Sequence, residues 1–356
     1  QVTQGGPLLW VQIDNETGNV RDPRVQRWLR GLMALWRRLG IEVPLTGCNV
    51  HPGSTAGRVK LYHSDGEEDW VFWPDLLLTF NAAEEEGRLA HLRQLQPHAP
   101  VFVSELWTGP PVFWTRPVEE WPTPTAQARV LREFVAAGAQ VNLYMFDGGT
   151  NFGYWGGGHI ATSYASAYPV AEGGVLRGKF YRMLPVHRFV QDFGFLLADS
   201  EEYQASEFSV ASGRLRLRRA HGGTLLFVFA DAGQESLRLR LPEGELAVPV
   251  DATSSAILPH GLQVMDGLRV DYANLSLLAR DPVRRVVAFY GPAGRHAIIS
   301  AGGHRHEFVI ERARVHRLPV DGCTVVVVDT DYAQRAWKLD DGRMLFGADE
   351  LGSSDD

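Results

Sequence analysis

The sequence predicts an α/β fold built on a parallel sheet and followed by an all-β domain. Up to about residue 200, short apolar segments alternate with segments whose apolar residues recur at helical spacing. Apolar strands separated by helices are typical of a parallel sheet that is covered on both faces. After about residue 205, strand-like segments follow one another with glycine-containing turns and no helical stripe. That pattern is typical of a β-sandwich or a jelly-roll-like domain.

Five strands and four helices are predicted in the first region. The predicted strands are 8–13, 43–47, 75–81, 101–105 and 141–146. The predicted helices are 23–39, 84–95, 126–139 and a last one that begins near residue 178 and carries Pro185 as a candidate kink.

The second region begins with a β-hairpin. "RLRLRRAHGGTLLFVFADAG" is interpreted as a strand, a Gly-Gly turn and a second strand. Further predicted strands are 235–241, 268–272, 283–290, 295–300, 307–312 and 323–328. The predicted organisation is therefore a domain over 1–200, an all-β accessory domain over 205–345, and a polar tail over 346–356.

Composition excludes several classes of function. The chain has 356 residues, of which 45% are hydrophobic and 22% charged, and its net charge is −7. An acidic balance does not favour binding to nucleic acid or anionic lipid, and no segment has the roughly 20 apolar residues that span a bilayer. Two distant cysteines match no zinc or redox motif. "GGHRHE" at 302–307 is better explained as a turn entering a strand than as a metal site. No cofactor and no metal are expected.

Carboxylates follow two of the predicted parallel strands. Asn15 and Glu16 come after strand 8–13, and Glu105 ends strand 101–105. In β/α barrels the catalytic side chains lie where the strands end. Paired carboxylates at one mouth are what glycosidic bond cleavage needs, since one donates a proton and the other attacks the anomeric carbon. Nearby aromatic residues that would stack on a sugar are Trp10, Trp107, Trp114, Tyr144, Tyr154, Trp155 and Tyr164.

Four motifs occur in an order that identifies a family. They are "GGPLLWVQIDNETG", "VFVSELWTG", "VNLYMFDGGTNFGYWGG" and "TSYASAYPVAEGGVLRGKFY". Together they resemble glycoside hydrolase family 35, the β-galactosidases, over about residues 1–200. The resemblance implies a TIM (β/α)8 barrel.

The resemblance also implies roles for individual residues. Glu16 matches the acid/base after the fourth barrel strand, and Glu105 the nucleophile after the seventh. Asn15 matches the asparagine that holds the sugar's 2-hydroxyl. Tyr144 matches a tyrosine that hydrogen-bonds the nucleophile region, and Tyr164 one that borders the sugar pocket. Trp107 completes the expected substrate-binding residues.

Three positions depart from the family pattern. Thr17 replaces a tyrosine in the family's "ENEYG", Pro110 stands where the family has the tryptophan of "TGW", and Ser166 replaces a second sugar-site tyrosine. Trp114 is a candidate substitute for the missing tryptophan. These changes concern the fit of the sugar rather than the two carboxylates.

If strand 8–13 is the fourth of eight, the first three barrel strands are absent from this sequence. The expected fold is then an incomplete barrel of about strands 4 to 8. Such a chain is expected to be poorly soluble or self-associating and to be inactive alone, with a separate N-terminal segment as a candidate partner that completes the barrel.

The leading hypothesis is a retaining exo-β-galactosidase that acts on β-galactoside oligosaccharides or glycoconjugates, in an N-terminally truncated form. An exo-β-glucosaminidase of the same family is one alternative. A catalytically inactive carbohydrate-binding or structural fragment is the other.

Overall fold

The fold is given by a computed structural model, which describes residues 1–16, 22–49, 75–83, 88–114, 121–152, 160–164 and 167–349. Thr17, Tyr154, Trp155, Ser166, the first four residues of the predicted helix 84–95 and most of the predicted tail lie outside the described residues. The chain forms two compact units. One comprises residues 1–121 and 139–168, and the other residues 122–138 and 169–356. The predicted domain boundary near residue 200 stays a prediction.

The first unit contains the predicted parallel sheet. Its strands are β1 (Val11–Gln12), β2 (Leu45–Asn49), β3 (Leu76–Ala82), β4 (Phe102–Trp107) and β5 (Gln140–Tyr144). They lie in sequence order, and every neighbouring pair is parallel. Leu78 and Phe80 of β3 and Val103 of β4 are at most 1% exposed, as expected for the nearly continuous apolar strands of a covered parallel sheet. This part of the prediction is confirmed.

Two strand boundaries differ from the prediction in ways that concern the site. The predicted strand 8–13 is reduced to the two residues of β1, because Leu8 and Leu9 are exposed and the Leu8 carbonyl accepts from the Val2 amide in the short 3-10 turn before it. β4 continues past the predicted end to Trp107, so Glu105 lies inside the strand rather than at its end.

The helices agree closely with the prediction. They are α1 (Pro23–Arg38), α2 (Arg88–Leu95), α3 (Pro124–Ala136) and α4 (Gly178–Ala198). Asp22 and Thr123 cap the first and third helices, each followed by a proline at the first helical position. α4 continues through Pro185. Among the described residues, no helix is both long and apolar enough to cross a membrane.

The second unit is rich in β-strands. They are β6 (Glu201–Tyr203), β7 (Ser209–Val210), β8 (Arg214–Ala220), β9 (Gly223–Phe229), β10 (Ser236–Leu241), β11 (Gly244–Pro249), β12 (Ser255–Met265), β13 (Leu268–Ala273), β14 (Ser276–Asp281), β15 (Val286–Gly291), β16 (His296–Ala301), β17 (His304–Val309), β18 (His316–Val320), β19 (Cys323–Asp329), β20 (Ala336–Lys338) and β21 (Met344–Phe346). A single helical turn, α5 (Thr330–Ala333), follows β19. The hairpin and the six further predicted strands are present, with shifted ends, while β6, β7, β11, β12, β14, β18, β20 and β21 were not predicted.

These strands form four sheets. The sheet orders are β11-β10-β7, β17-β16-β13-β12-β9-β8-β6, β14-β15-β19-β18 and β20-β21. In β10 the leucines are buried and alternate with exposed arginines, which is the pattern of a sheet with one buried face. Leucines and valines of β10 and β11 pack with those of β8, β9 and β12 in one core. The three-stranded and seven-stranded sheets therefore pack face to face.

Candidate active site

The parallel sheet brings its polar side chains to one edge. Glu16 follows β1, Asn81 is the penultimate residue of β3, and Glu105 lies near the end of β4. Since all five strands run in the same direction, these positions share the carboxyl edge of the sheet. Trp107 and Tyr144, the last residues of β4 and β5, lie at the same edge and are in register with each other.

Asn81 connects the two glutamates. It is paired in register with Glu105, directly after an irregularity in the β3–β4 pairing. Its Nδ2 donates to Glu16 Oε1 at 3.1 Å and lies 3.4 Å from Asn15 Oδ1. Asn81 also lies close enough to Glu105 to lower the pKa of that carboxyl group. The side chain of Asn81 is only 3% exposed, so this amide is held between the carboxylates by the sheet itself.

Glu105 is half-buried, and its surroundings include groups that raise its pKa and groups that lower it. Burial is the main cause that raises the pKa of Glu105, and the nearby carboxylate of Glu16 raises it further. Hydrogen bonds from Trp107, Asn15 and Asn81 oppose this shift. Trp107 Nε1 donates to Glu105 Oε2 at 2.9 Å. The donors named here are neutral, so they hold the carboxylate in place without forming an ion pair.

Glu16 has an unusual backbone. Its φ is +48°, in the left-handed region that residues other than glycine rarely adopt. Strain of this kind costs on the order of 1–3 kcal/mol and is concentrated at functional sites. Before it, Asn15 Oδ1 accepts from Gln12 Nε2 at 3.0 Å, and the Asn15 amide donates to Asp14 Oδ1 at 2.9 Å. The segment after β1 is therefore arranged by its own side chains so that both polar residues face the sheet edge.

Two tyrosines stand beside the carboxylates. The hydroxyl oxygens of Tyr144 and Tyr164 are 3.4 Å apart. Burial and the neighbouring Tyr144 raise the pKa of Tyr164, so it stays a neutral hydroxyl at neutral pH. Tyr168, at 1% exposure, packs its ring 6.1 Å from that of Tyr164 and also has a raised pKa because of its burial. The peptide bond between Tyr144 and Met145 is cis.

A buried polar chain lies beneath the amide of Asn81. Ser104 Oγ donates to Asn81 Oδ1 at 2.9 Å, and Thr79 Oγ1 donates to Ser104 Oγ at 2.9 Å. Thr79 and Ser104 are at most 5% exposed. Cys48 lies in the same layer, and burial raises the pKa of its thiol to about 12. The thiol is therefore a neutral packing group.

The structure brings together most of the side chains that the sequence singled out. Glu16, Asn15, Glu105, Trp107, Tyr144 and Tyr164 all lie at the carboxyl edge of the sheet. Trp10 is different, because its ring contacts Phe102 at the opposite end of β4, with 4.8 Å between ring centroids. Within the described residues there is no group of three or more His, Cys, Asp or Glu side chains that would hold a metal ion.

Asn81, Ser104 and Tyr168 were not predicted as site residues. The signal for Asn81 was available, since the predicted strand 75–81 ends at it and the strand-end rule applies to amides as well as to carboxylates. Ser104 gave no such signal, because only the register of β3 and β4 places it under the asparagine.

The chain resembles known glycosidases. Residues 1–190 match the family described as glycosyl hydrolases family 35. Curated relatives include a β-galactosidase of Felis catus, 32% identical over 52% of this chain and 27% of its own length, and one of Homo sapiens, 32% identical over 50% and 26%. A β-galactosidase-1-like protein of Mus musculus is 31% identical over 48% and 26%. The chain thus spans about a quarter of the length of these relatives.

Proposed function

Because this chain belongs to glycosyl hydrolase family 35, we propose that it hydrolyses terminal β-galactose residues by double displacement. Glu105 attacks the anomeric carbon and forms a glycosyl ester while the proton of Glu16 passes to the departing oxygen. Glu16, now ionised, then takes a proton from water, and the resulting attack at the anomeric carbon breaks the ester and releases galactose.

The observation that carries this proposal is that Glu16 and Glu105 lie at one edge of the sheet with Asn81 beside both. Asn81 donates to Glu16 Oε1 at 3.1 Å and lowers the pKa of Glu105, whereas the nearby charge of Glu16 raises it. Retaining glycosidases need their two carboxyl groups roughly 5 Å apart. We therefore expect that separation in a sugar complex, and a separation above about 10 Å would contradict the mechanism.

The proposed substrate-binding residues lie at the same carboxyl edge of the parallel sheet. Asn15 is assigned to the sugar's 2-hydroxyl, Trp107 to one of its apolar faces, and Tyr144 and Tyr164 to the border of the pocket. The Tyr144–Tyr164 hydroxyl pair and the Trp107 indole beside Glu105 support this assignment. Aromatic rings provide apolar contact, and their hydroxyl or indole groups supply hydrogen bonds.

The fold is part of the proposal. The strands β1 to β5 are assigned as the fourth to eighth strands of a (β/α)8 barrel, and the β-rich sheets as a sandwich domain that follows it. In such barrels the site collects residues from the loops after all eight strands. Activity should therefore be measured on the protein at the length that its gene encodes.

The experiment compares Glu105→Gln with Glu16→Gln on lactose and on dinitrophenyl β-galactoside. Glu105→Gln should abolish turnover of both, because an amide cannot form the glycosyl ester. Glu16→Gln should retain kcat/KM on the dinitrophenyl substrate, whose leaving group needs no proton, and lose about 100-fold or more on lactose. Equal losses for the two variants on both substrates would contradict these roles.

An exo-β-glucosaminidase is the second candidate. Pro110 stands where the family has a sugar-site tryptophan, and this change in the sugar site supports a different sugar specificity. A panel of nitrophenyl glycosides separates the two, since only a glucosaminidase would prefer the β-glucosaminide. If the protein hydrolyses neither sugar but still binds one in calorimetry, the inactive carbohydrate-binding alternative is correct.

A further inference from the structure

We propose that Asn81 is a positioning residue that fixes which oxygen of Glu16 carries the catalytic proton. This inference rests on the proposed function and assigns Asn81 a role that the proposed mechanism leaves open. Asn81 Nδ2 donates to Glu16 Oε1 at 3.1 Å. An oxygen that accepts this N–H cannot also point its own proton toward the same nitrogen. The acidic proton is therefore directed to Oε2, the oxygen left free for the departing group.

The orientation of the Asn81 amide is set by its contacts at both ends. Its Oδ1 accepts from Ser104 Oγ at 2.9 Å, so the oxygen end of the amide points into the sheet and the NH2 end toward the carboxylates. Ser104 itself accepts from Thr79 Oγ1 at 2.9 Å. Asn81, Ser104 and Thr79 are at most 5% exposed. Ser104 Oγ also lies 3.2 Å from the Phe80 carbonyl oxygen, so its hydroxyl keeps an acceptor in either orientation of the amide. The orientation is favoured at the other end, because a flipped amide would place its oxygen against the ionised Glu16 carboxylate and leave two acceptors facing each other without a proton.

Glu16 needs such support more than Glu105 does. It is exposed, it follows a strand of only two residues, and its backbone is in the left-handed region. Glu105 is held inside β4 and receives the Trp107 indole in addition. Loss of the Asn81 amide should therefore impair the acid more than the nucleophile.

The test measures kcat/KM on lactose and on dinitrophenyl β-galactoside for wild type, Asn81→Leu and Ser104→Ala. We expect Asn81→Leu to lose about 10- to 100-fold on lactose but less than about 3-fold on the dinitrophenyl substrate, since only lactose needs a placed proton. Ser104→Ala, which acts through Asn81, should show the same pattern with a smaller loss. In a Glu16→Gln background, Asn81→Leu should add less than about 3-fold on lactose.

Thr46→Val is the matched control. Thr46 lies in β2 of the same sheet, is 1% exposed, and its hydroxyl has no hydrogen-bond partner within the described part of the chain. Its loss should leave both substrates near wild-type rates, which separates the Asn81 effect from the removal of any buried polar group.

Three results would overturn the inference while leaving the proposed function intact. They are wild-type rates in Asn81→Leu, equal losses on both substrates, and a loss on lactose that persists in full in the Glu16→Gln background. An active wild type with an inactive Glu105→Gln variant is the sign that the proposed function itself holds. A wild type that cleaves no β-glycoside would overturn both.

Discussion

Glu105 illustrates how the environment of the candidate site acts on stability. Burial raises the pKa of this carboxyl group, so the folded state binds its proton more tightly than the unfolded state does. The resulting stabilisation is fully present below the ordinary carboxyl pKa of about 4.3 and is lost as the pH rises through the raised value. Above the raised pKa the ionised Glu105 therefore opposes folding.

Glu105→Gln should remove this pH-dependent cost. The Tm of the variant minus that of wild type should therefore be more positive at pH 7 than at pH 4, because the amide does not ionise. Thermal unfolding of both proteins at the two pH values measures it. Glu207→Gln, on the exposed surface, controls for the loss of one negative charge. A Tm difference that is the same at both pH values would show that folding does not raise the pKa of Glu105.

At the scale of elements, a glutamine completes the hydrogen bonding of β3. Gln96 follows α2, and its side chain accepts from the Leu78 amide at 3.0 Å and donates to the Leu78 carbonyl at 2.8 Å. The residue is 6% exposed. It therefore satisfies both backbone groups of one residue in the strand that carries Asn81.

Gln96→Leu should destabilise the protein by about 2 kcal/mol, because two buried backbone groups lose their partner and each unsatisfied group costs about 1–3 kcal/mol, partly offset by apolar burial. Denaturant unfolding measures the change. Gln94→Leu, at an exposed position of α2, is the control. If both variants unfold at the same denaturant concentration, the Gln96 bonds contribute nothing.

The elements also show what the sequence could and could not predict. The parallel strands and α1, α3 and α4 followed from apolar periodicity. β12 did not, because Pro259 and Gly261 resemble a break. In the structure this strand pairs with β9 up to His260 and with β13 from His260 onward. Gly261 has a φ of +62°, and a Cβ on Gly223 would lie 2.4 Å from the Gly261 carbonyl oxygen. Such a change of partner depends on contacts distant in sequence.

Contacts between residues distant in sequence also limited what could be predicted of the candidate site. The two carboxylates could be found from strand ends and motifs, because both signals are local. The Asn81–Ser104–Thr79 chain depends on the irregular register between β3 and β4, which leaves no periodic pattern in either strand. The departures at Thr17 and Ser166 lie outside the described residues, so their expected effect on the sugar stays a prediction.

For the whole molecule, the proposed double displacement requires that Glu105 become covalently bound to sugar during turnover. A 2-deoxy-2-fluoro-galactoside with a dinitrophenol leaving group tests this directly, because the fluorine slows release of the glycosyl enzyme more than its formation. The protein, at the length that its gene encodes, is incubated with this reagent, digested and mapped by mass spectrometry. We expect one fluorogalactosyl adduct, on Glu105, formed together with loss of activity and absent from Glu105→Gln. An adduct on any other residue, or turnover of natural substrate with inverted anomeric configuration, would contradict the proposed double displacement.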